Sequence, residues 1–320
     1  MAWQLTEEIN FRATHQLSGL PSLLLRQGIK VVPLGETMSQ ANAAIKAKGP
    51  LIYRQSIWTR VTHWVWAICL FFLLLTGLQI FNAHPALYIG QQSGFEFENS
   101  VLEIGAVDTD AGPRGQTTVL GQNFDTTALG LGMSGNAERP VYTAFPGAVT
   151  IPSYRDLGTG RVVHFFFGWI FVATMFIWFI ASFINGHIRR DIVPKPADLA
   201  GVPKDVVDHA TLRLKHGRTY GPLQKLAYFG VFFILFPLIV ATGLTMSPGM
   251  NSIAPWLLDL FGGRQTARTI HFIVMLLLVA FFIIHILMVV AAGPINELRS
   301  MITGWYRASL GTPTVEGDKP

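Results

Sequence analysis

The chain has 320 residues, half of them hydrophobic and only 13% charged, and its mean hydropathy is +0.40; a soluble globular domain carries about 25% charged residues, so this is read as an integral membrane protein. The net charge of +5 does not point to nucleic acid, because the basic residues flank apolar runs and form no continuous patch. The single cysteine, Cys69, lies inside an apolar run, which excludes disulfides, cysteine-held iron–sulfur clusters and covalent attachment of a prosthetic group through CxxCH.

Residues 1–52 are mixed in character and begin MAWQLTEEINFRATHQ, without the basic start and apolar core of a signal peptide. They read as a cytoplasmic extension. A core domain over 53–310 follows, and 311–320 is a polar tail. The first span covers about 61–82, with Trp64 and Trp66 where an interfacial aromatic belt belongs, His63 beside them, and Gly77 fourteen residues later on the same helix face. A glycine there would let a flat ring approach the backbone, although glycine is frequent in membrane helices generally. Residues 83–160 form a long glycine-rich polar insertion in which VLEIGAV and QTTVLGQNF alternate as short strands do. A connection of this length is usually functional or disordered; the functional reading is a docking face.

The second span, about 162–184, has His164 at its start. A basic connection leads to the third, about 223–246, where Pro237 predicts a kink that membrane helices tolerate. The fourth, about 269–292, has no formal charge yet carries His271 and His285, fourteen residues apart and therefore on nearly one face, about 21 Å apart along the axis. Thirteen Lys and Arg lie close to span ends on one side of the membrane against four on the other, which puts both termini in the cytoplasm and the 83–160 insertion outside. The expected architecture is an all-α membrane protein, an antiparallel bundle of four transmembrane helices with one long extracytoplasmic loop, in a bacterial inner membrane.

Ionisable groups inside a bilayer are costly and are read as functional, with their partners to be named. In this topology His63 and His285 lie near the inner surface, and His164 and His271 near the outer one. Neutral imidazole is a haem-iron ligand, so the two pairs are candidate axial ligands of an inner and an outer haem; the plainer reading is a hydrogen bond from each histidine to a neighbouring helix. Arg60, Arg161 and Arg268 each stand three residues before one of these histidines, on the same face and nearer the headgroups. They would suit haem propionates, or act as ordinary snorkelling anchors. His15, His84, His187, His209 and His216 read as solvated surface residues.

With His63, His164 and the His271/His285 pair, the sequence resembles the di-haem cytochrome b subunits of membrane oxidoreductases, the family of the membrane subunits of formate dehydrogenase and nickel–iron hydrogenase. The segments YRQSIWTRVTHW and FNAHPALYIG make it most similar to the branch labelled thiosulfate reductase cytochrome b, and the resemblance covers about residues 52–308. It implies two b-type haems that carry electrons between a periplasmic catalytic subunit, molybdopterin-dependent in this branch, and membrane quinone. A hydrogenase or formate dehydrogenase is the alternative partner. It also implies a quinone site beside Tyr220, Gln224 and Lys225, although Gly221 and Leu223 stand where formate dehydrogenase relatives carry asparagine and glycine. A reading of another class is a non-haem scaffold or transporter whose histidines bind metal or substrate.

Overall fold

The computed structural model describes residues 49–136, 139–211 and 221–308; Tyr220, most of the 1–52 extension and the 311–320 tail lie outside them. The chain divides into two compact units, one made of the chain ends up to Tyr53 and from Tyr306, the other of Arg54–Trp305. In the first, Ile52, Tyr306 and Ala308 form a small buried cluster, and the Ala308 N–H donates to the Pro50 carbonyl (2.9 Å).

The second unit is built on four helices long and apolar enough to cross a membrane: α1 (Ile57–Phe81), α2 (Leu157–Ile184), α4 (Pro222–Thr245) and α5 (Arg264–Ala292). A further helix, α3 (Pro196–Ala210), precedes α4, and α6 (Pro294–Thr303) follows α5. Three of the four spans begin about one turn before their apolar runs; on two of them a polar cap satisfies the first free N–H groups, whereas α5 follows Gly263 and its Gln265 and Thr266 N–H groups donate to the Gly90 carbonyl. Ser56 accepts from the Thr59 N–H (3.2 Å) on α1, and Asp156 does so from the Thr159 N–H (2.9 Å) on α2. The N–H and hydroxyl of Thr159 hold the Asp156 carboxyl below the usual carboxylate range. Pro237 is accommodated by a π-helical turn at Val231–Leu235 immediately before it. A proline ring collides with the carbonyl four residues back, and a widened turn relieves that clash.

α1 and α2 run antiparallel through an aromatic interior. Phe72 stacks on Phe167 at 4.2 Å, while Trp66 meets Phe171, Trp178 and Phe236 and donates from Nε1 to the Thr174 hydroxyl (3.0 Å). Cys69 is buried in the same cluster as a free thiol. Small residues let the helices close: a Cβ on Gly160 would meet the Gln79 side chain at 3.3 Å.

The all-α expectation needs correction at the insertion, which folds as β-structure. Strands β1 (Ala86–Tyr88), β2 (Ser100–Thr109), β3 (Gly112–Val119) and β4 (Gln122–Asp125) form an antiparallel sheet in that order, and β5 (Ser134–Asn136) pairs with β6 (Arg139–Val141). Alternating residues in β2 and β3 favour pairing, and the turns are chemically suited to it. Val119 pairs with Gln122 across Leu120 and Gly121, both at positive φ (49° and 78°) as a tight two-residue hairpin requires. Asp125 closes the sheet end. Hydrogen bonds from the Thr127 hydroxyl and N–H, with Arg114 beside it, hold its carboxyl down at about 2. Phe81, Leu87, Ile104 and Ala144 form the core that joins the insertion to the end of the bundle.

Candidate haem sites

The fold gathers the four span histidines into two pairs at opposite ends of the bundle. His164 enters on the first turns of α2 and His271 on the first turns of α5, both at the end that carries the insertion. They lie near enough to interact electrostatically. His63, on the second turn of α1, faces His285 near the other end of α5, with ring centres 6.4 Å apart and planes inclined by 56°. All four rings are half-buried.

The insertion-side pair is held by two matching arrangements. The hydroxyl of Thr76 on α1 lies 3.0 Å from His164 Nδ1, and that of Thr242 on α4 lies 3.1 Å from His271 Nδ1. Both threonines are fully buried. The next residue is glycine in each case: a Cβ on Gly77 or on Gly243 would stand 3.4 Å from Cε1 of the respective ring. Gly77 therefore packs against an imidazole: a methyl group there would touch the ring, and a longer side chain would compete with it for space.

The sequence reading missed Thr76, Thr242 and Gly243. The signal was an internal repeat. Thr76-Gly77-Leu78 recurs as Thr242-Gly243-Leu244, and Thr159-Gly160-Arg161-Val162-Val163-His164-Phe165 recurs in outline as Thr266-Ala267-Arg268-Thr269-Ile270-His271-Phe272. In both halves, a helix carrying Thr-Gly supports a histidine from the following span.

The far pair is built differently. His63 Nδ1 is buried with no hydrogen-bond partner among the described residues, and its ring meets Trp64 edge-on at 5.4 Å. His285 stacks on Phe281 at 6.0 Å and 15°. Arg60 donates to the Ile302 carbonyl (2.6 Å) and Trp64 to the Met301 carbonyl (3.1 Å), which ties the start of α1 to α6.

The remaining sequence candidates are also placed. Arg268 donates to the His84 carbonyl and lies over the Phe81 ring at 5.6 Å; Arg161 lies over Phe165 at 5.9 Å. Lys225 pairs with Asp198 at 3.0 Å, and Gln224 Oε1 accepts from the Gly221 N–H (3.3 Å) at the start of α4. His84 stacks on Tyr88, His187 meets Trp178 edge-on and His209 Nδ1 faces the Asp205 carbonyl.

The residues present fit haem. The rings of His63 and His285, 6.4 Å apart between centres, would leave room for a haem iron held between them through ring nitrogens. The glycines beside His164 and His271 leave those rings free to lie against the helix backbone. Among the described residues no three His, Cys, Asp or Glu side chains converge as a metal-ion site.

Over residues 117–304, more than half of the chain, the sequence matches the family described as prokaryotic cytochrome b561. It is also similar to the Putative protein-methionine-sulfoxide reductase subunit YedZ1 of Azospira oryzae, 25% identical over 250 residues that make up 77% of this chain and 94% of that protein. No solved structure matches. With four apolar spans and histidines paired across them, the chain belongs to the prokaryotic cytochrome b561 family, multi-pass membrane proteins that carry b-type haem in electron transport.

Proposed function

We propose that this chain conducts electrons across the membrane through two b-type haems, one between His164 and His271 and one between His63 and His285, linking an extracytoplasmic oxidoreductase to membrane quinone. The observation that carries this reading is the separation of the facing His63 and His285 rings, 6.4 Å. Bound haem supplies a one-electron Fe(III)/Fe(II) couple at each site. The helices supply the rest. His271 and His285 lie fourteen residues apart on α5, so one rigid helix sets the distance between sites at about 21 Å along its axis. Arg60, Arg161 and Arg268 stand one turn from three of the histidines and offer positive charge to propionates.

With both termini on the cytoplasmic side, as the basic residues predict, the insertion faces outward and the partner docks on 83–160. Phe95 is 90% exposed and Phe97 61% exposed, with Glu96 and Glu98 interleaved, on a loop preorganised by Gln92 and Asn99. Gln92 accepts from the Phe95 N–H (2.6 Å), and Asn99 donates to the Ile89 carbonyl (2.7 Å). This loop is latched to the start of the His271 helix: Thr269 donates to the Tyr88 carbonyl (2.7 Å) and Gln265 to Ser93 (2.7 Å). Rigid exposed aromatics are the residues that interfaces favour. The partner is a periplasmic catalytic subunit, molybdopterin-dependent in the branch this chain most resembles; the name of the Azospira relative favours a protein-methionine-sulfoxide reductase over a hydrogenase or formate dehydrogenase. Quinone docks at the opposite end, beside Gln224 and the Lys225–Asp198 pair.

The test is haem content. Purified protein is expected to show a reduced b-type spectrum, and His271→Ala to lower haem per protein by roughly half while His285→Ala removes the other half. A colourless preparation, or unchanged haem content in both variants, would overturn the assignment.

A further inference from the structure

Resting on the ligation reading above, we propose that Thr76 and Thr242 are matched positioning residues. Each accepts a hydrogen bond from the Nδ1–H of the insertion-side histidine on the neighbouring helix, and so presents the unprotonated Nε2 to the iron.

The direction of the bond follows from where each hydroxyl proton goes. Thr76 Oγ1 donates to the Phe72 carbonyl at 2.6 Å, and Thr242 Oγ1 to the Leu238 carbonyl at 2.7 Å. A hydroxyl has one proton and two lone pairs. With that proton committed to its own helix, Thr76 meets His164 Nδ1 at 3.0 Å as an acceptor. Thr242 meets His271 Nδ1 at 3.1 Å in the same way. The proton of a neutral imidazole must then sit on Nδ1, leaving the lone pair on Nε2.

Back-bonding to the carbonyl four residues earlier is ordinary for threonine in a membrane helix and by itself says nothing about function. It does not explain why a ring nitrogen from the next helix lies against both hydroxyls, nor why glycine follows both threonines to admit the ring. The match extends one step further. Each hydroxyl also lies near the carbonyl three residues before it, Thr76 Oγ1 at 3.4 Å from the Leu73 oxygen and Thr242 Oγ1 at 3.2 Å from the Ile239 oxygen, so both protons are directed into the threonine's own helix. Partners that accept from the second ring nitrogen fix the tautomer and make the ligand more basic. A more basic imidazole favours ferric iron.

The experiment uses the full-length protein with haem and compares Thr76→Val, Thr242→Val, the two serine variants and His271→Ala by optical redox titration, electron paramagnetic resonance and haem retention during dilution. Each valine is expected to raise the midpoint potential of the insertion-side haem, shift its resonance and weaken its retention roughly 10- to 100-fold. Serine should restore all three, and the far-side haem should not move. A valine variant with unchanged potential and resonance would overturn the proposal even though His271→Ala still removed that haem. Haem content unmoved by His271→Ala would instead sink the ligation reading itself. If the valine proteins do not accumulate, alanine against serine decides: a shift with alanine alone supports the proposal, and identical behaviour of the two rejects it.

Discussion

At the insertion end, each imidazole rests on a buried threonine and a glycine from the neighbouring helix, and the arrangement occurs twice with the same sequence signature. At the far end neither feature is present among the described residues. His63 Nδ1 is buried without a hydrogen-bond partner among them, and the two rings are positioned by aromatic contacts with Trp64 and Phe281. The difference teaches that one bundle can hold two pairs of histidines by different physics. Hydrogen bonds and close backbone approach define the first pair tightly. Dispersion and ring packing define the second, which leaves it more tolerant of change.

The largest expected break of this contrast is Gly243→Leu. A Cβ there already stands 3.4 Å from the His271 ring, so a branched side chain must displace the imidazole. Loss of essentially all insertion-side haem is expected, with the far-side spectrum intact, read as haem per protein in difference spectra. Two haems retained at full occupancy would mean that the ring does not need this approach. Phe281→Ala is the reciprocal change. It removes a ring stacked on His285, worth about 1 kcal/mol, so far-side haem retention should weaken about fivefold with the insertion side unaffected. An equal effect on both sites would show that the two ends are not independently held.

The smallest effect concerns pH and the insertion end only. Burial, followed by the neighbouring Arg268, pushes the His84 ring below its ordinary value of 6.5, against a smaller opposite pull from Glu103. A histidine whose folded pKa is depressed favours folding most when neutral in both states. Stability is therefore full above about pH 6.5 and falls as pH drops through that value toward the folded pKa, because the unfolded chain binds the proton first. Acidification from pH 7 to about 5.5 should lower the thermal transition slightly, and His84→Gln should flatten that slope. An unchanged slope in the variant would place the titrating group elsewhere.

Much of the bundle was legible in the chain itself. Uninterrupted apolar runs give spans because a bilayer leaves the backbone no alternative to a helix, and the run containing His271 and His285 is the clearest example. Three of the spans nevertheless begin about a turn earlier than hydropathy suggested, because their first turns carry polar residues, such as Thr159 behind the Asp156 cap, that a hydropathy sum counts against a span. The insertion was legible only as alternating pieces, since pairing β2 with β3 depends on register and on turns such as Leu120-Gly121.

By itself the sequence determined that this is a membrane protein with imidazoles at two depths, because charge, length and helical periodicity are local properties of the chain. Which hydroxyl supports which ring was decided by tertiary structure alone. Thr76 and His164 are 88 residues apart, and no local rule connects them; only the antiparallel closure of α1 on α2, repeated by α4 on α5, brings a buried threonine to within hydrogen-bonding distance of His164 and of His271.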